Sequence, residues 1–131
     1  GIIRTILAVD EKAKSVTLAG DIPENGIVRL MHASNSGLIG GARQAAQSAT
    51  DLMKAPGAEA LGILISCVGR KLVMGNDIEE ELDAVREVFG KNTVTGFYSY
   101  GEICPQSGFS ECKLHNQTMT VTYLYETKHA A

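Results

Sequence analysis

The stretch Ala60-Leu61-Gly62-Ile63-Leu64-Ile65-Ser66-Cys67 is apolar at nearly every position over the length of one strand. Hydrophobicity that does not alternate predicts a central strand covered on both faces, because a strand with one wet face alternates apolar and polar residues. On either side of it the pattern changes to a helical period. Upstream, Leu38, Ala42, Ala45, Ala49 and Leu52 step by four, three, four and three behind a cap at Asn35 or Ser36, and Pro56-Gly57 stops the element. A face of alanines beside Gly41 lets this helix lie close to a sheet, so leucine at Ala45 should overpack the contact by roughly 1–3 kcal/mol. Downstream, Asp77 and Glu80 form a capping-box pair, Ile78, Leu82, Val85 and Phe89 make an inner stripe, and Gly90 provides a left-handed stop.

Further out, Ile2 to Val9 and Ser15 to Ala19 flank a polar turn and predict a hairpin. Ile27 to Ala33 reads as a third strand with mixed sides, Val28, Leu30 and His32 on one and Ile27, Arg29 and Met31 on the other. Thr93 to Gly101 and His115 to Glu126 read as the last two strands, separated by a loop holding Cys104, Pro105, Gly108 and Cys112. The prediction is therefore an α+β domain: a mixed β-sheet of about six strands with two main helices packed on it, in the order β-β-β-α-β-α-β-β.

The 131 residues are 44% hydrophobic and 21% charged, which fits one globular domain over residues 1–131. A formal net charge of −3 gives no electrostatic footprint for nucleic acid or an anionic membrane. Three cysteines cannot all pair within one chain, which points to a reducing compartment, the cytoplasm. The apolar runs fall well short of the ~20 residues that span a bilayer. The opening at Gly1, directly into a strand pattern, predicts a domain cut from a longer protein.

Four features carry candidate chemistry, each with a plainer alternative. At Ser66-Cys67-Val68-Gly69-Arg70 a buried strand ends, a glycine permits a tight turn, and a guanidinium suited to a ligand carboxylate follows; the alternative is a buried thiol and a surface arginine. In Gly96-Phe97-Tyr98-Ser99-Tyr100-Gly101-Glu102, Tyr98 and Tyr100 point to one side and can wall a pocket, or simply pack in the core. In Leu114-His115-Asn116-Gln117-Thr118, inward polar groups at a strand mouth require partners that a pocket offers, unless they lie on a surface strand end. Cys104, Cys112 and His115 are spaced C-x7-C-x2-H, which lacks the paired spacing and fourth ligand of a zinc site, so no metal is expected. Catalytic signatures are missing: there is no nucleophile elbow, phosphate loop or His-Glu-x-x-His. Cys67 with His115 is the one credible nucleophile and base, and nothing in the sequence shows that they meet.

The same three segments, Ser66 to Arg70, Gly96 to Ile103 and Leu114 to Thr120, resemble in order and spacing the C-terminal half of the FIST module, a sensory domain of bacterial signalling proteins, and the likeness extends over roughly residues 1 to 127. The resemblance implies a small-ligand sensor for an amino acid or related carboxylate, with no catalytic residue and no cofactor. It implies ligand contacts from Cys67, Arg70, Tyr98, Tyr100, Glu102, His115, Asn116 and Gln117, and a signalling partner such as a histidine kinase or cyclase in cis or in trans. A haem-based gas sensor using His115 or His32 is the family's other association. Two further readings are a Cys67/His115 enzyme and a ligand-free dimerisation domain using Thr118, Thr120 and Thr122. The chain departs from the family in lacking the N-terminal FIST region and any effector segment, and in placing Cys104 before Pro105.

Overall fold

The computed structural model describes residues 1–52, 59–105 and 111–126. The chain runs β1 (Ile6–Asp10), β2 (Ser15–Leu18), α1 (Asn35–Asp51), β3 (Ala60–Cys67), α2 (Val68–Met74), a 3-10 turn at Gly75–Asp77, α3 (Ile78–Phe89), β4 (Thr93–Ser99), β5 (Glu102–Pro105), β6 (Cys112–His115) and β7 (Met119–Tyr125). It is an α+β fold with a mixed sheet and two main helices on it, as the sequence implies. The strands divide among three ladders, however. The central sheet has the order β4-β3-β7, and β1-β2 and β5-β6 are separate hairpins.

β3 is the middle strand, parallel to β4 and antiparallel to β7. Its burial alternates: Gly62, Leu64 and Ser66 are buried while Leu61, Ile63 and Ile65 are half-buried. The uniform apolar run thus misleads in one respect, because helices cover only one face. That face carries the core of Ala42, Ala46, Leu64, Val85, Phe89 and Met119, with Val94, Val121 and Tyr123 against it. Phe89 closes on the sheet because Gly62 has no side chain; a Cβ there would stand 2.5 Å from the Phe89 ring. The ring also meets Tyr123 at 4.8 Å between centroids in a tilted arrangement. Asn92 closes this end, donating to Tyr123 Oη at 2.5 Å and to Phe89 O at 3.0 Å, and accepting from Ala60 N at 3.1 Å.

Helix α1 starts one residue earlier than the periodicity suggests, because Ser34 Oγ accepts from Gly37 N. Its buried positions are Leu38, Ala42 and Ala46, so the contact that leucine would overpack is at Ala46 and Ala45 is only half-buried. The expected stop at Pro56-Gly57 lies outside the described residues. Helix α3 begins after Asp77 without the capping box; the Asp77 carboxylate instead accepts from Asn35 Nδ2 at 2.6 Å, pinning α3 to the start of α1. Gly90 ends α3 at φ +59°.

The expected third strand, 27–33, is not one. Ile27, Val28, Leu30 and Met31 are exposed and the segment joins no ladder. Mixed polarity on both sides gave it no buried face, and burial is what turns β-propensity into a strand. The β5-β6 hairpin and α2 form where the sequence suggested only loop and turn. In β1-β2 the turn is built by Asp10, whose Oδ1 accepts from both Lys12 N and Ala13 N.

Candidate functional site

Parallel pairing of β3 with β4 brings their carboxyl ends together, Cys67 opposite Ser99, and antiparallel pairing with β7 brings Met119 opposite Ser66. One end of the sheet therefore collects the exits of two strands and the entry of a third. Three segments far apart by number, 66–70, 98–102 and 115–118, meet there. In parallel sheets this is the end where polar loops gather without disturbing the core.

Arg70 is not where the sequence suggested. It is 4% exposed and forms a buried ion pair with Glu81, which is fully buried. Its Nε donates to Glu81 Oε1 at 2.6 Å, Nη2 to Leu38 O at 2.8 Å and Nη1 to Gln117 O at 3.4 Å. Ser66 Oγ donates to the second Glu81 oxygen at 3.5 Å. A guanidinium so engaged has its charge answered within the fold, which overturns its assignment to a ligand carboxylate. Its work is positional: it ties α1, α3 and the entry to β7 to one point.

Cys67 is buried and its N–H donates to Thr118 O at 2.9 Å. His115 is also buried, and its Nε2 faces Cys104 O at 3.2 Å; no hydrogen bond joins its ring to the Cys67 thiol. Tyr98 lies at the edge of the cluster under the Lys71 ammonium, 5.0 Å above its ring centre. Burial first, then the Glu81 charge, pushes its hydroxyl above the ordinary tyrosine pKa, while Arg70 partly offsets them. Tyr100 is 91% exposed, because β4 ends at Ser99 and the chain bends before β5, so it walls no pocket with Tyr98.

Glu102 is 3% exposed, and its carboxylate accepts from Ser99 Oγ at 2.6 Å and from Thr118 Oγ1 at 2.7 Å. Asn116 is 1% exposed and its Oδ1 has no partner, nor does Oε1 of Gln117. Gln117 adopts φ +57° and lies over Gly69, where any Cβ would strike its side-chain amide. Hence Gly69 serves close approach between α2 and the 116–118 turn.

Sequence reasoning gives Glu81 and Ser99 no role and offers Thr118 only for a dimerisation surface. Glu81 carries a legible signal, since Ile78, Glu81, Val85 and Phe89 step by three, four and four along one face of α3. A carboxylate in an apolar stripe needs a buried cation, and Arg70 is the partner it finds.

Burial raises the Cys104 thiol pKa above its ordinary value, followed by the nearby Cys112 and Glu102. Among the described residues no group of His, Cys, Asp and Glu side chains is placed to hold a metal ion, and no helix is long and apolar enough to cross a membrane. A shallow groove of about 550 Å³ lined by Ala8 to Lys12 and Thr17 lies on the β1-β2 hairpin and touches none of the residues above.

A family model described as the FIST C domain matches residues 1–105. The matched span includes the segments at 66–70 and 98–102 and stops short of 115–118. No curated protein and no solved structure matches the chain. With 105 of 131 residues matched, the chain belongs to the FIST C domain family, the sensory domains of signal-transduction proteins.

Proposed function

We propose that this domain senses a small ligand, an amino acid or a related carboxylate, at the end of the central sheet where β3 and β4 finish and β7 begins. It binds without a cofactor and performs no chemistry on the ligand. The bound state passes to a signalling protein in the cytoplasm, a histidine kinase or cyclase in cis or in trans. One observation carries this reading: Cys67, Tyr98, Glu102, His115, Asn116 and Gln117 come from three separate segments to one strand end, and two of them hold side-chain oxygens without partners. Buried polar atoms are nearly always paired in folded proteins, so two amide oxygens without protein partners, in the turn whose Thr118 donates to the buried Glu102 carboxylate, support a polar ligand there.

The Arg70–Glu81 pair supplies a path for the response. Arg70 holds the Gln117 carbonyl on one side and the Leu38 carbonyl on the other. A ligand that shifts the 116–118 turn therefore changes the packing of α1 and α3, the helices a partner would read. Calorimetry of the chain against a panel of amino acids tests the proposal. Saturable binding of at least one member, weakened by Gln117→Ala, is the expected result; no heat from any member with the circular dichroism of the folded chain intact would refute it.

A further inference from the structure

The site is short of donors and of positive charge. Glu102 is almost fully buried, yet its carboxylate is met by only two hydroxyls, and no cation among the described residues lies within ion-pair distance of it. The basic side chains of the neighbouring segments are engaged elsewhere, Arg70 by Glu81, Lys71 over the Tyr98 ring and Arg4 on the Leu114 carbonyl. His115 stands opposite Glu102 in the β5-β6 register, but its Nε2 faces the Cys104 carbonyl. Around the same turn, Asn116 Oδ1 and Gln117 Oε1 are two further acceptors with nothing to accept from. A side-chain amide can turn to offer either end, whereas an ionised carboxylate only accepts, so Glu102 fixes the sign of what completes the cluster. A buried anion without a counter-charge is unfavourable until a cation joins it.

We propose that the Glu102–Asn116–Gln117 cluster receives the protonated amino group of a small ligand, a primary ammonium whose three N–H donors match a carboxylate and two amide oxygens. This rests on the sensory reading above and refines it: the end of the ligand read by this domain is the ammonium, and the ligand carboxylate faces away from Arg70.

Three probe sets separate the possibilities by calorimetry of the chain: free amino acids, their amides, which keep the ammonium and lose the carboxylate, and their N-acetyl derivatives, which do the reverse. Amides of the amino acids that bind should bind about as tightly as the free forms, and N-acetyl derivatives should lose about 30-fold or more. Glu102→Gln should weaken the amides about tenfold or more. Where that variant loses its folded circular dichroism, Gln117→Ala provides the same reading at a residue that is only partly buried. N-acetyl derivatives that bind while amides fail would overturn the ammonium assignment and leave the sensory reading standing. Failure of free amino acids, amides and N-acetyl derivatives together would overturn both.

Discussion

Replacing Glu81 by leucine removes the one carboxylate that answers a guanidinium buried to 4% exposure. Three acceptors engage Arg70 in the native fold, and the two that remain, Leu38 O and Gln117 O, carry no charge. Breaking such a pair from one side costs about 3–5 kcal/mol, since the orphaned charge keeps its desolvation penalty. A chain of 131 residues has about 7–20 kcal/mol of stability in all, so the loss is a large fraction of it. With a urea m-value near 2 kcal/mol/M, a loss of about 4 kcal/mol moves the unfolding midpoint down by about 2 M. The double variant Arg70→Met with Glu81→Leu should recover most of this, because neither charge is then buried. Glu87→Gln, at the solvated Arg43–Glu87 pair, should cost about 0–1 kcal/mol and serves as the control. A Glu81→Leu midpoint within about 0.5 M of the parent's would refute a buried pair at the hub of the site.

Gly62→Ala places a methyl 2.5 Å from the Phe89 ring and should destabilise by about 1–3 kcal/mol in the same urea assay; a neutral result would mean that the ring does not depend on that gap. Alkylation followed by mass spectrometry should label exposed Cys112 first, Cys104 more slowly because its thiol holds its proton, and Cys67 scarcely at all; rapid labelling of Cys67 would contradict its burial. Tyr98 keeps its proton to higher pH in the folded chain than in the unfolded one, so its contribution to stability is complete below the ordinary tyrosine pKa and is lost as pH rises through the raised value. Tyr98→Phe should therefore flatten the fall of the unfolding midpoint above pH about 10, and an unchanged slope would count against the cause given.

How much of this was legible beforehand differs by kind of signal. β3 and α3 follow from local pattern alone: the bounds of β3 and the Gly90 stop come directly from the residues. The segment 27–33 does not, because a strand needs a neighbour to pair with and the sequence does not say whether one is at hand. The same distinction governs the site. Residue types at 66–70, 98–102 and 115–117 singled out three segments, and sheet topology brings those segments to one end. What the sequence lacked was the partner of each group. Arg70 reads as a free cation until Glu81 is seen to face it from α3, and Tyr100 as a wall until the bend after Ser99 turns it to solvent. Long-range pairing decides what remains available for a ligand, and one-dimensional spacing carries little of it.

The most direct test of the sensor account is a ¹H–¹⁵N NMR titration of the chain with an amino acid that binds it. The account predicts shifts concentrated in residues 66–70, 99–102 and 115–118, with weaker changes reaching α1 and α3 through Arg70 and Glu81. Shifts confined to the β1-β2 hairpin, or spread over the surface with the strand-end residues unmoved, would contradict it.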